Sequence, residues 1–257
     1  MLTNTKGLVI RETDVGDRDK ILTLLTDTCG KISISCKGAR SLRSRSIACT
    51  QLLCYCDWTL YRGRTMYSLN EAELTDNFFN IRLSVEGYAL AAYMCEVAGV
   101  LSTENGEDSE LLRLMLNTLF LLNRGDRPLY LIKGGFELRA AAQAGFQPDL
   151  VGCAVCGRDI VNTDDVIFFS PDDGMLLCGE CRRCEPDPAA FRTYGQIARE
   201  VAAAMRHVVY SPAQKIFAFS LVGPAQEQFA RVCERFLLYH AETEFRTLEF
   251  YKGLGKM

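Results

Sequence analysis

At 257 residues, 48% hydrophobic and 24% charged, the chain has a globular composition with room for one large domain or two to three small ones, which excludes wholesale disorder. Its longest apolar run, Tyr88 to Leu101, is too short to cross a bilayer and contains Glu96, and the N-terminal residues lack the pattern of an export signal, so a cytoplasmic protein without membrane attachment is expected. The net charge of −3 is uneven: residues 1–75 hold eleven Lys or Arg against eight Asp or Glu, a balance of +3 that leaves −6 for the remainder.

Residues 6–75 alternate short apolar runs with turn residues. Strands are expected at Gly7–Arg11, Ile21–Leu25, Gly30–Cys36, Leu52–Tyr61 and Thr65–Leu74, the last two joined at Arg62-Gly63-Arg64. Five strands in about seventy residues imply a small closed barrel such as an OB-fold, which removes exposed sheet edges. An SH3-like barrel fits the same pattern. After the third strand comes Lys37-Gly-Ala-Arg40-Ser-Leu-Arg43-Ser-Arg45, four cations in nine residues, and no acid occurs between Thr28 and Cys56. A basic loop is commonly only a solvated one. Here Arg11, Lys20, Tyr61, Arg62, Arg64 and Tyr67 fall on neighbouring strands, and cations beside aromatic rings are what a single-stranded polynucleotide requires for its phosphates and bases. Both tyrosines also suit half-buried strand positions.

From Ile81 the period lengthens to three and four residues. Val85, Tyr88, Ala92 and Leu101 mark one helix, Leu111–Leu122 a second and Leu129–Ala144 a third; the helical period returns from Tyr194 to Val208 and from Phe229 to Phe245. These helices are expected to form one bundle. His207 and His240, the only histidines, lie on apolar faces and read as core or boundary residues.

Between the third and fourth helices stand Cys153-Ala-Val-Cys156 and Cys178-Gly-Glu-Cys181, separated by 21 residues. Two such pairs can present four thiolates to one tetrahedral Zn²⁺. Val166–Ser170, Pro171–Gly174 and Met175–Leu177 read as strand, turn and strand, a hairpin that returns the second pair to the first. A disulfide pair and a thioredoxin-like redox motif are alternatives; the first needs an oxidising compartment and the second a single pair opening a helix. Cys184, three residues beyond, is open as a substitute ligand. Four thiolates close the coordination shell, so the ion is expected to be structural. The other seven cysteines are scattered among apolar residues, as suits a reducing cytoplasm. No phosphate loop, nucleophile elbow, His-Glu-x-x-His or deaminase pattern is present, and no catalytic turnover is expected.

The chain resembles the RecO recombination-mediator family of bacterial DNA repair. The resemblance is carried by Phe136-Glu-Leu-Arg139, Gly145-Phe-Gln-Pro148 and Cys153-Ala-Val-Cys156-Gly157, then by Phe169-Ser-Pro-Asp-Asp-Gly174 running into Cys178-Gly-Glu-Cys181. Gly7–Arg11, Gly30-Lys31 and Lys37-Gly-Ala-Arg40 with Ser44-Arg45 extend it to the N-terminus, and Phe245-Arg-Thr-Leu-Glu-Phe-Tyr251 extends it weakly to the other end. It implies an α+β protein: an N-terminal OB-fold barrel over residues 1–78, an all-α helical domain over 79–150 and 187–257, and an inserted Cys₄ zinc ribbon over 151–186. It further implies binding of single- and double-stranded DNA, strand annealing and, with RecR, help to RecA in loading onto DNA coated by single-strand-binding protein, in the cytoplasm and at the nucleoid. By position Lys37, Arg40 and Arg45 are the implied phosphate contacts, Arg43 joins them by charge, and Lys133 and Arg139 are candidates for the tail of single-strand-binding protein. The pair Gly134-Gly135 is unusual for its helix, and the family's barrel is usually more basic than +3. The competing reading is a zinc-ribbon protein–protein adaptor without DNA affinity; zinc-dependent hydrolysis would need an open coordination position.

Overall fold

The computed structural model describes residues 2–41, 46–103, 106, 109–187 and 189–254. These divide into two compact units, residues 1–126 with 245–257, and residues 127–244.

In the first unit, β1 (Leu2–Val15), β2 (Asp19–Thr26), β3 (Lys31–Cys36), β4 (Tyr55–Arg62) and β5 (Tyr67–Asp76) close a barrel in the order β1-β2-β3-β5-β4. β1 pairs antiparallel with both β2 and β4, and closure is made by a short parallel pairing of β3 with β5 at Ile34–Tyr67 and Ser35–Ser68. This is the five-stranded Greek-key order of an OB-fold. Alternation sets the inside: Ile32, Ile34 and Cys36 of β3 and Cys56, Trp58 and Leu60 of β4 turn inward onto Val9, Leu22 and Leu24. The Trp58 indole N–H finds the Gly7 carbonyl at 2.9 Å, so the only tryptophan is both buried and satisfied. Cys36, Cys49, Cys54 and Cys56 are core residues of the same barrel. Burial pushes the Cys36 thiol up to about 12 and raises the other three, so these are inert apolar fillers.

The described α-helices of this unit are α1 (Val85–Leu101), α2 (Ser109–Arg124) and α7 (Arg246–Leu254). Ser84 caps α1, its hydroxyl accepting the Gly87 N–H at 3.1 Å. Just before α7, the ring of Phe245 meets Tyr93 of α1 edge-on with centroids 5.7 Å apart.

The second unit contains α3 (Leu129–Gln143), α5 (Arg199–Tyr210) and α6 (Pro224–Ala241), with the Cys₄ ribbon inserted between α3 and α5. The expected single bundle is therefore divided: α1, α2 and α7 belong to one unit and α3, α5 and α6 to the other. Apolar periodicity shows which face of a helix is buried but not which helix meets it. The fourth expected helix also starts later. Gly195–Ile197 is a strand, β9, whose pairing with β7 (Ile167–Ser170) holds Tyr194 to Ile197 outside the helix. Phe245 is likewise separated from α6, because Glu242 takes a left-handed conformation, φ 48°, that ends the helix.

The pair Gly134-Gly135 has a packing origin. A Cβ on Gly134 would stand 2.6 Å from Cε1 of Phe229 on α6, and one on Gly135 would stand 2.8 Å from Cε1 of Phe217. Two aromatic rings occupy the space that side chains would take. Alanine gains about 0.5–1 kcal/mol in a helix over glycine, but overpacking of a dense core costs about 1–3 kcal/mol. Gly134→Ala should therefore lower stability by about 1–2 kcal/mol net, read as a lower urea midpoint at constant m; an unmoved midpoint would remove the packing account. Lys133, next to this pair, is only 3% exposed, with Glu137 Oε1 at 2.7 Å and Glu234 Oε2 at 2.8 Å. Burial alone would lower its pKa, but the two carboxylates outweigh burial and raise it, so Lys133 is a cation that holds α3 to α6.

Candidate metal centre and nucleic-acid interface

The ribbon is a four-stranded sheet in the order β6-β8-β7-β9, where β6 is Asp149–Cys153 and β8 is Met175–Cys178. β7 and β8 form the expected hairpin, from Ser170–Met175 at the turn to Ile167–Cys178 at its open end. The first knuckle folds because Gly157 N–H meets the Cys153 carbonyl at 2.9 Å and Cys153 N–H meets the Arg158 carbonyl at 2.9 Å. Gly157 sits at φ +73°, and a Cβ on Gly152 would stand within 2.8 Å of two backbone carbonyl oxygens, so both positions require glycine. In the second knuckle, Cys178 leads into the short helix α4 (Gly179–Cys184), and its sulfur accepts the Cys181 N–H at 3.3 Å.

The sulfurs of Cys153, Cys156, Cys178 and Cys181 lie within 4.8 Å of one another, with Cys156 and Cys178 at 4.0 Å. A tetrahedral ion with bonds of about 2.3 Å to sulfur needs its ligands about 3.8 Å apart, so a contraction of less than about 1 Å closes the shell. The four residues can hold one metal ion. Cys184 is exposed and outside this group. The Arg158 N–H and guanidinium draw the Cys156 thiol down to about 6. Burial pushes Cys178 up, but the Cys181 N–H and the Arg158 guanidinium, 3.6 Å from its sulfur, bring it down on balance. Its hydrogen bond to Cys178 keeps the proton on Cys181 and raises that thiol. Arg158 also meets Glu180 at 2.6 Å, so one guanidinium ties the knuckles together and offsets thiolate charge. Arg206 of α5 fixes the ribbon from outside, reaching the Leu150 and Val151 carbonyls at 2.8 and 2.6 Å and Asp159 at 2.8 Å.

On the barrel, Arg11 from β1, Arg62 from the end of β4, Arg64 from the β4–β5 turn and Tyr67 from β5 all line one cleft of about 1160 Å³. All three arginines are exposed, and among the described residues none has an acidic partner within ion-pair distance. Lys37 is likewise exposed, and among the described residues it has no ion pair. Tyr67 is half-buried against the barrel core, whereas Tyr61 is 55% exposed. Two of the expected cations have internal partners. Lys20 meets Glu12 at 2.6 Å and the Thr50 carbonyl at 3.2 Å; Arg40 meets Asp14 at 3.5 Å and the Gly16 carbonyl at 2.9 Å, which pins the loop after β3 to the β1–β2 turn. Arg43 and Arg45 lie outside the described residues. In the second unit Lys133 is enclosed, as above. A surface role was expected of it, and a charged residue reads from sequence as exposed unless its partners are known. Arg139 is half-buried and donates to the Val208 and Val209 carbonyls in the last turn of α5. Among the described residues no helix is long and apolar enough to cross a membrane.

A family model described as Recombination protein O N terminal matches residues 1–78, and one described as Recombination protein O C terminal matches residues 82–249. The DNA repair protein RecO of Acetivibrio thermocellus is 33% identical over 256 residues, covering 98% of this chain and 97% of its own. Those of Alkaliphilus metalliredigens, 33% identical over 70% of this chain and 72% of its own, and Symbiobacterium thermophilum, 29% identical over 98% of both, are similar as well.

Proposed function

Because the chain belongs to the recombination protein O family of DNA repair proteins, we propose that its OB-fold barrel binds single- and double-stranded DNA and anneals complementary strands without catalytic turnover. With RecR it would help RecA load onto DNA coated by single-strand-binding protein, in the cytoplasm at the nucleoid. The observation that supports this reading most is the cleft in which Arg11, Arg62 and Arg64 stand beside Tyr67 without acidic partners. Annealing needs two polyanions to approach, and guanidinium groups on the phosphates of one strand lower its repulsion of the other. Lys37, exposed after β3, is proposed as a further phosphate contact, and Arg43 and Arg45, which lie outside the described residues, are kept as candidates from the sequence. Lys20 and Arg40 contribute by shaping the loop they pin. Tyr61, and Tyr67 where its ring reaches the cleft, would stack bases. The metal held by the four cysteines is proposed to be one structural Zn²⁺, the usual ion of a closed four-thiolate site. In the second unit, Arg139 is retained as the candidate contact for the acidic tail of single-strand-binding protein, while Lys133 supports its helix from within.

The test is a fluorescence-anisotropy titration with single- and double-stranded oligonucleotides across a salt series, paired with an annealing assay with and without single-strand-binding protein. Binding should weaken steeply as salt rises and be similar for unrelated DNA sequences, because phosphate contacts carry no base code. Absence of oligonucleotide binding at low salt, with or without RecR, combined with salt-independent binding of protein partners, would replace this reading by the adaptor one.

A further inference from the structure

The segment Phe245-Arg246-Thr247-Leu248 is separated from the barrel by more than 160 residues of sequence, yet it belongs to the same compact unit. Its alternate placement is set by burial. Phe245 and Leu248 turn into the unit, 2% and 4% exposed, with Phe245 edge-on to Tyr93 of α1. Thr247 donates its N–H to Glu96 of α1 at 3.1 Å and its hydroxyl to the same carboxylate oxygen. With Phe245 and Thr247 fixed against α1 and Leu248 buried, Arg246 is left exposed on the wall of the cleft that Arg11, Arg62 and Arg64 also line.

We infer that Arg246 is a further nucleic-acid-binding residue, contributed to the barrel cleft by the C-terminal helix and directed at the phosphates of a single strand. This rests on the reading of that cleft as the nucleic-acid site. Charge in the cleft favours it. Among the described lining residues the only carboxylates are Glu12 and Glu96, and both are engaged, Glu12 with Lys20 at 2.6 Å and Glu96 with Thr247. Lys31 is committed to the Gly99 carbonyl at 2.8 Å. The cations left to meet a ligand are the four arginines, and no described acid lies within ion-pair distance of Arg246. The backbone that carries it is fixed, and its planar guanidinium loses less side-chain freedom per hydrogen bond to a phosphate than an ammonium does.

The experiment compares Arg246→Ala and Arg246→Lys with the combined Arg11→Ala, Arg62→Ala, Arg64→Ala variant in the full chain. The probe is a labelled thymidine oligonucleotide long enough to cover a site of roughly 16 nucleotides. One phosphate contact on a single strand contributes about 0.7 to the slope of log affinity against log salt. Arg246→Ala should flatten that slope by about 0.7 and weaken binding about fivefold at about 0.1 M salt. Its melting temperature should not move, and Arg246→Lys should keep the slope. If Arg246→Ala keeps both slope and affinity while the triple variant loses them, the inference fails and the cleft reading stands. If neither variant differs from the parent, the cleft reading itself fails and takes this inference with it.

Discussion

Removing the metal from the Cys153, Cys156, Cys178 and Cys181 site is expected to open both knuckles of the ribbon while the barrel stays folded. The four ligands come from β6, the turn that follows it, β8 and α4, and two of them, Cys156 and Cys181, are not buried, so little apolar contact holds those two sulfurs in place. In isolated zinc-finger peptides the ion contributes about 10–16 kcal/mol of apparent folding free energy. Here part of the ribbon has other support. Phe169 of β7 packs on Phe236 of α6 with centroids 6.1 Å apart, so the far end of the hairpin should survive. Hydrogen exchange on protein stripped under reducing conditions should show protection lost at residues 153–160 and 178–184 and retained around Phe169 and its strand partner Leu176. Trp58, the sole tryptophan, lies in the barrel core and reports on that body separately, and its emission should be unchanged. Knuckles that remain protected in metal-free protein would show that the thiolates do not carry their folding.

Replacing Arg11, Arg62 and Arg64 together with Ala should weaken oligonucleotide binding about a hundredfold at about 0.1 M salt and flatten the salt slope by about two units, the sum of three single-strand phosphate contacts. The loss should be uniform across base sequences. All three side chains are exposed and none holds an acid, so the substitutions leave the barrel core untouched; Trp58 emission and the melting temperature serve as the internal check. A triple variant that binds as tightly as its parent, with the same slope, would place the nucleic acid elsewhere on the molecule.

Much of this architecture was legible in the sequence, and the parts that were not share a cause. The five strands are visible because each half-buried strand repeats with period two. β1 nevertheless runs to Val15, past the expected Arg11, because Glu12 to Val15 form an exposed hairpin arm that has no apolar face to announce it. The ribbon is visible because thiolate spacing is a local signal. β9 is invisible because a three-residue strand exists only by pairing with the free edge of β7. The Gly134-Gly135 pair could be noticed but not explained until the rings of Phe229 and Phe217 were found against it. Lys133 had one usable hint: Glu137 follows four residues later on a helix flanked by Ile132 and Phe136, a spacing that suggests an inward ion pair as readily as an outward one. For Arg246 no local pattern exists, since its neighbours in the cleft lie at the other end of the chain.

That return of the chain has a consequence for biosynthesis. Domains commonly fold in order as the ribosome releases them, N-terminal first. Here α7 and the Phe245 that precedes it, which covers Tyr93 of α1, are translated only after all of the second unit, residues 127–244, has been made. The nascent barrel body must therefore wait, with part of α1 uncovered, for a late segment, and a message interrupted anywhere before codon 245 would yield a product lacking both that cover and one wall of the cleft.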